Sequence, residues 1–322
     1  MPDIDLSLLT PRTQLAADSF VVMREGAPDA MGLLNALSAL PFANSAGPAV
    51  PANGVVHFSK KIAGHDFAHT IGPGNEPRAL QSLMIRSGSG AWLPGSGATT
   101  SPGVFGMPNF TITGFTATAR SCATTNYFSR RRKLGYVTAA TAGAVGMWRA
   151  GTNAYSIGSG AGVGGFFAVV RFGISDGAAV TGARMFMGIG VSTVAPTNVE
   201  PSTLINRIGI GHGAADTTMQ LYYGGTTAQT PINLGVNFPA NTLSVDMYEL
   251  ALFAPANSQV VNYEVTRLNT GDVATGTLSG LVGTVVPAAT ELMHFTSYRT
   301  NNATALAVSI DIAGAYIEML DE

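Results

Sequence analysis

The chain has a single cysteine, Cys122, among 322 residues, which excludes an internal disulfide and any cysteine-rich metal site. It is also short of charge: Asp, Glu, Lys and Arg together make up 11%, less than half of the roughly 25% usual in soluble domains. Seventeen basic residues face nineteen acidic ones, for a formal charge of −2, whereas nucleic-acid binding calls for a strong Lys/Arg excess. Long apolar runs are missing too. Residues 158–170 come nearest, but they are glycine-rich and stop at Arg171, short of the ~20 apolar residues of a membrane span. The opening Met1-Pro-Asp-Ile-Asp5 lacks the basic and apolar regions of a secretion signal. These absences predict a protein made in the cytoplasm, with no membrane span and no nucleic-acid partner.

What is present is 46% apolar residues and 39 glycines, enough for a sizeable core without covalent staples. The polar surface must come from Thr, Ser, Asn and backbone. Copies of such a chain repel one another weakly, so part of its surface is expected to be covered by other copies, as a homo-oligomer.

Three regions are expected. Residues 1–42 alone have helical character: Met31, Leu33, Leu34, Leu37 and Leu40 fall near the helical period, Asp29 can cap the helix and Pro41 ends it. That stripe either packs on its own domain or anchors an oligomer. Residues 43–124, rich in Gly, Pro, Ser and Thr, read as an irregular β neck. Residues 125–322 carry regular strand patterns at 166–172, 184–191, 207–212, 219–223, 247–254, 260–268, 305–312 and 316–320. With almost no helix between them, they predict a mainly β chain ending in a sandwich or jelly roll.

Two strings look catalytic. Gly160-Ala-Gly162-Val-Gly-Gly165 has G-x-G-x-x-G spacing, but a dinucleotide site needs a helix after the glycines and a strand pattern follows here. Gly173-Ile-Ser175-Asp-Gly177 has the spacing of a hydrolase nucleophile elbow, with His212 and Asp216 as nominal triad partners. An elbow also needs a following helix, and a hairpin turn accounts for these residues. His65 and His69 are spaced for two ligands on one helix face, but Gly64, Gly72 and Pro73 argue against a helix. They read as loop or surface histidines. Among Asp246, Glu249, Glu264 and Asp272, no spacing selects the carboxylate pair a glycosidase requires. No catalytic residue, metal site or cofactor is expected.

Two features suit recognition. Residues 129–133, Ser-Arg-Arg-Arg-Lys, read either as a solvated strand edge that blocks edge pairing or as an attractor of phosphates on a bacterial surface. Trp92, Trp148, Tyr155, Tyr222 and Tyr223 are the aromatics suited to stacking on sugar rings. Trp148-Arg149 in a glycine-rich setting, and Tyr222-Tyr223 beside Gly224-Gly225, are the candidate carbohydrate-binding residues.

Leu15-Ala-Ala-Asp-Ser-Phe-Val-Val-Met-Arg-Glu-Gly26, followed by Leu33-Leu-Asn-Ala-Leu37, resembles the virion-attachment start of tailed-phage fibre proteins. Tyr127-Phe-Ser-Arg-Arg-Arg-Lys-Leu-Gly-Tyr136 and Gly165-Phe-Phe-Ala-Val-Val-Arg-Phe172 are similar to the tip domains of such fibres. Glu249-Leu-Ala-Leu-Phe253, Tyr263-Glu-Val-Thr-Arg267 and residues 305–318 continue the likeness. The resemblance implies a trimeric tail fibre or receptor-binding protein with a lectin-like sandwich tip. It would attach to other tail or baseplate proteins in the virion and to a polysaccharide or pilus of the bacterial host. A capsid decoration or head-fibre protein, and a tailspike-type glycan hydrolase, are the alternatives.

Overall fold

The computed structural model describes residues 48, 56–71, 78–79, 89–95, 100–101, 107–159, 163–256 and 258–319. The expected helix of residues 1–42 lies outside the described residues. In chain order the strands are β1 (Val56–Ile62), β2 (His65–Ile71), β3 (Arg78–Ala79), β4 (Ser89–Trp92), β5 (Thr100–Ser101), β6 (Phe110–Thr113), β7 (Phe115–Arg120), β8 (Lys133–Thr138), β9 (Val145–Ala150) and β10 (Phe166–Ile174). There follow β11 (Arg184–Gly190), β12 (Arg207–His212), β13 (Gln220–Gly224), β14 (Ile232–Asn233), β15 (Tyr248–Ala254), β16 (Val261–Arg267), β17 (Asp272–Leu278), β18 (His294–Thr300) and β19 (Ser309–Met319). The described helical structure is one 3₁₀ turn, Pro201–Thr203, and no helix among the described residues is long and apolar enough to cross a membrane.

Two eight-stranded antiparallel sheets make a jelly-roll β-sandwich. The front sheet runs β17-β16-β15-β10-β19-β8-β7, with β4 also beside β19, and the back sheet runs β14-β13-β12-β11-β18-β9-β6-β5. Period-two alternation produces it: in β16, Val261, Tyr263 and Val265 turn inward while Asn262, Glu264 and Thr266 turn out. The inward residues of both sheets form one continuous core. A smaller sheet, β1-β2-β3, sits outside the front sheet, where Ala63 and Phe67 pack on Phe167 and Ala251.

The strands expected at 166–172, 184–191, 207–212, 219–223, 247–254 and 260–268 are β10 to β13, β15 and β16. The two expected at 305–312 and 316–320 are instead one strand, β19. Its pairing with β10 shifts between Arg171 and Phe172, so that Arg171 faces Gly314 and Phe172 faces Ile312. Ala313 is the extra residue of a β-bulge, which carries the strand past Gly314 without ending it. Leu306, within the first of these ranges, is exposed ahead of the strand.

The neck expected over 43–124 is not separate from the sandwich where it is described. From Ser89 onward it supplies β4, β6 and β7 to the two sheets. The cause is aromatic burial: the ring of Phe110 stacks on Trp148 at 4.2 Å and 11°, and Trp92 meets Trp148 edge-on at 5.5 Å. The described residues fall in one compact unit, with no division near 125.

The Gly173–Gly177 string is not a hairpin turn. It carries the chain from β10 in the front sheet towards β11 in the back sheet. Asp176 holds this crossing in place: its side chain is buried, paired with the equally buried Arg299, and its Oδ1 accepts the Ser309 N–H at 2.6 Å.

Candidate functional site

The outer face of the front sheet carries the most promising surface. Most outward positions of β10 and β15 are apolar, but Arg171 and Glu249 sit directly opposite each other in the register and form an ion pair. On β19 the outward residues past the bulge are Gly314, Tyr316 and Glu318, and the Tyr316 hydroxyl donates to Glu318 Oε1. The β1–β2 hairpin lies over one end of this face, with Phe67 4.9 Å from the Phe167 ring and His65 stacked on Phe253 at 4.6 Å. Glu264 fixes the hairpin turn by accepting the Ala63 N–H at 3.2 Å. Burial pulls the His65 imidazole below its ordinary pKa.

Beside the hairpin the face opens into a groove of about 460 Å³, within the size range of small-ligand sites. The bulge in β19 creates its mouth. β8 pairs with β19 at residues 309–312 and β4 at residues 315–318, so neither covers Ala313 and Gly314. Phe67, Leu93, Val169 and Ala315 give the groove an apolar lining, and Arg171, Glu249 and, from the loop before β8, Arg131 add charge. Apolar walls with a few convergent charged and hydroxyl groups suit a ligand having both hydrophobic faces and polar edges, as a sugar ring has.

Further along the same face lies a hollow of about 380 Å³ lined by Arg120, Lys133, Asp311 and Ser175. Arg120 Nε is 3.6 Å from Asp311 Oδ2, and Ser175 Oγ donates to Asp311 Oδ1. The Lys133 ammonium rests 4.4 Å from the centre of the Phe128 ring. Burial raises the Asp311 carboxyl above its usual range and lowers Lys133 below its own.

A third hollow, also about 380 Å³, is on the outer face of the back sheet. Tyr222 donates to Asp216 Oδ2 at 2.9 Å, the same oxygen accepts the Gly213 N–H at 2.7 Å, and Glu200 joins Arg184 to the Ala214 N–H. Burial and the neighbouring Asp216 push the Tyr222 phenol far up.

The aromatic candidates do not converge on one site. Trp148 is 0% exposed and faces the core, Tyr223 packs against the core, and Tyr222 is 2% exposed, with no ring face free for a sugar. Arg149 points outward and donates to the Ala150 carbonyl at 3.1 Å. Three strands separate β9 from β13, about 19 Å at the usual strand spacing. Strand alternation and core demand for large apolar side chains explain these placements, and Trp92 and Tyr155 are buried for the same reason.

The nominal catalytic residues are each engaged by other partners. Ser175 engages Asp311, His212 accepts from Arg299, and Asp216 holds Tyr222. Asp246 pairs with Arg267 at 2.8 Å, Glu249 with Arg171, Glu264 binds the hairpin and Asp272 accepts from Thr270. His65 and His69 share one face of strand β2 with Phe67 between them, and His69 is buried, not in a surface loop. Among the described residues no group of His, Cys, Asp and Glu is arranged to hold a metal. Gly160 and Gly162 lie outside the described residues; Gly164 and Gly165 lead directly into β10. The basic run is no strand edge: Arg130, Arg131 and Arg132 are exposed on the loop before β8, and Lys133 begins that strand buried.

Sequence reasoning missed Tyr316, Arg171, Glu249, Arg120 and Asp311 as lining residues. A signal existed for two of them. Arg171 and Glu249 each interrupt an apolar strand, and charges of opposite sign at such positions are expected to meet across a sheet.

No family model matches the chain, and no curated protein matches it. Solved structures similar to it in strand arrangement include peanut lectin with a 9mer peptide, with a TM-score of 0.46 at 10% identity, covering 73% of this chain and 98% of the lectin. Winged bean acidic lectin complexed with methyl-alpha-D-galactose has a TM-score of 0.45 at 9% identity, covering 73% of this chain and all of that one (100%). A carbohydrate esterase from the Shiga toxin-encoding bacteriophage phi24B has a TM-score of 0.39 at 16% identity, covering 65% of this chain and 89% of the esterase.

Proposed function

We propose that this protein is a non-catalytic glycan-binding subunit of a phage fibre, which attaches the particle to a polysaccharide or pilus on the host surface. The observation that carries the binding reading is the groove beside Tyr316, with its apolar lining and the charges of Arg131, Arg171 and Glu249. The serine, histidine and carboxylate candidates are each bonded to other partners, which supports binding without turnover. The phage assignment rests on the resemblance of residues 10–40 and 125–320 to fibre proteins.

Assembly as a homo-oligomer, with a trimer expected, fits this role. Only 11% of the residues are charged, and Val236, Val194, Leu281, Val163 and Leu93 are 63–87% exposed. Several copies would turn individually weak sites into firm attachment. Residues 1–42 would join the tail or baseplate.

The test is binding of the purified full-length protein to host cells, together with competition against particle adsorption. Saturable binding that blocks adsorption and is lost in Tyr316→Ala is the expected result. A protein that binds no cells and does not compete overturns the reading and favours shell decoration. New reducing ends from host polysaccharide would establish hydrolysis instead.

A further inference from the structure

We propose that the hollow at Arg120 and Lys133 holds the oxyanion of an acidic glycan, a carboxylate or a phosphate, whose neighbouring sugar occupies the groove. This deepens the glycan-binding reading and rests on it.

The argument begins with charge. Arg120 and Lys133 face a single carboxylate, Asp311, so the hollow carries one positive charge in excess. Arg120 takes part of that carboxylate, and Ser175 donates to it as well. Lys133 makes no ion pair among the described residues. It is 4% exposed, and its ammonium rests on the face of Phe128. Asp311 is shared between the two cations, so the buried Lys133 is left short of negative charge, and an entering anion relieves that deficit, because charge-assisted hydrogen bonds are the stronger kind. The hydroxyls of Ser121, Thr125 and Ser244 line the same space.

The arrangement is also built. Gly135 lies between the two charged partners on the outer face of β8. A Cβ there would come within 2.5 Å of Arg120 Nε and 2.7 Å of Asp311 Oδ1. Glycine is what allows Arg120 to cross the strand and reach Asp311.

Position links the hollow to the groove. Asp311 lines one and Gly314 the other, three residues apart, or about 10 Å along a strand. The loop carrying Arg130, Arg131 and Arg132 runs between them, and Arg131 itself lines the groove. Arg120, Lys133, Arg131 and Arg171 line the hollow and the groove against Asp311, Glu249 and Glu318, and the exposed Arg130 and Arg132 flank Arg131 on its loop. That local excess contrasts with the chain's overall charge of −2 and would draw a polyanion to this face.

The test is calorimetric titration of the full-length protein with trigalacturonate, with its methyl ester and with inorganic phosphate. Trigalacturonate should bind at least about tenfold tighter than the ester and weaken as salt is raised. Lys133→Gln should abolish that preference, and so should Arg120→Gln, whose side chain is partly exposed and less needed for folding. Tyr316→Ala should weaken acid and ester alike. Phosphate binding tighter than carboxylate would identify a phosphorylated glycan as the source of the oxyanion. Equal binding of acid and ester, no binding of either anion, or a preference that survives both charge variants in folded protein would overturn the proposal. Cell attachment that ignores these variants would sink the anion site and leave the glycan reading intact. Anion binding without any cell attachment would do the reverse.

Discussion

Arg299 and Asp176 form an ion pair with no exposed surface on either side chain. Arg299 comes from β18 in the back sheet and Asp176 from the crossing that leaves the front sheet, so the pair ties the two layers together. His212 completes it: its Nε2 accepts from Arg299 Nη1 at 3.2 Å, and its Nδ1–H donates to the Gly213 carbonyl at 3.2 Å. The imidazole must be neutral to play both parts, and burial beside Arg299 holds its pKa down to about 3.

Breaking the pair on one side leaves the other charge buried and unpaired. Asp176→Asn and Arg299→Met should each cost about 3–5 kcal/mol, read as a fall in the urea midpoint. The double variant Asp176→Leu/Arg299→Met should recover much of that loss, since an apolar pair needs no desolvation. A double variant no more stable than the singles would show that the pair is needed for more than charge balance.

Acid should destabilise the sandwich through its buried histidines. His212 is held at about 3 and His294 at about 4. For His294 the causes are burial first, then Arg149 and Arg207. Both folded values lie below the ordinary 6.5, so the unfolded chain binds the extra protons. Stability is fully present above pH 6.5 and is lost as the pH falls towards 4 and then 3. The loss is about 1.4 kcal/mol per pH unit for each histidine. Denaturation midpoints between pH 7 and 4.5 should show this slope, and His212→Gln should flatten it relative to the parent.

Trp148 and Tyr316 should separate stability from binding. Trp148→Ala removes a ring stacked in the core and should cost about 3–5 kcal/mol, with cell attachment of the folded fraction unchanged. Tyr316→Ala alters a half-buried ring at the groove and should leave the melting temperature nearly where it was while attachment falls. Loss of attachment in Trp148→Ala at a temperature where it stays folded would return Trp148 to the site.

The difference between what was legible and what was not follows from how each strand meets its surroundings. Strands such as β16, apolar on one side and polar on the other, announce themselves. β18 does not, because all seven of its residues are buried. Some of its polar side chains find partners inside the fold, as when the Tyr298 hydroxyl donates to the Val199 carbonyl in the segment covering the back sheet. The site was hidden for a related reason. Aromatics beside glycines are what a sugar platform and a tightly packed core have in common, and only pairing order tells them apart. The groove depends on a bulge at Ala313 and on two short strands sharing one edge of β19. That is a relation among residues more than 170 positions apart, and no local pattern reports it. The arginine run was visible, but the burial of Lys133 at its end was not.

Asp311 offers the sharpest test of the anion hollow, because charge and structure predict opposite outcomes there. If Arg120, Lys133 and Asp311 serve only to hold β7, β8 and β19 together, any change among them loosens the face, and every variant should bind less. If the hollow receives an anion, Asp311 is its one repulsive member. Asp311→Asn keeps the shape and an oxygen able to accept from Ser175, while raising the local excess from one positive charge to two. Trigalacturonate should then bind several-fold tighter than to the parent, with the gain shrinking as salt is raised, while Lys133→Gln binds more weakly. The carboxyl is buried and ion-paired with Arg120, so the substitution should also lower the melting temperature, and binding is compared at a temperature where both variants are folded. Calorimetric titration of the two variants side by side checks the sign directly, and weaker binding in both would leave the cluster a structural one.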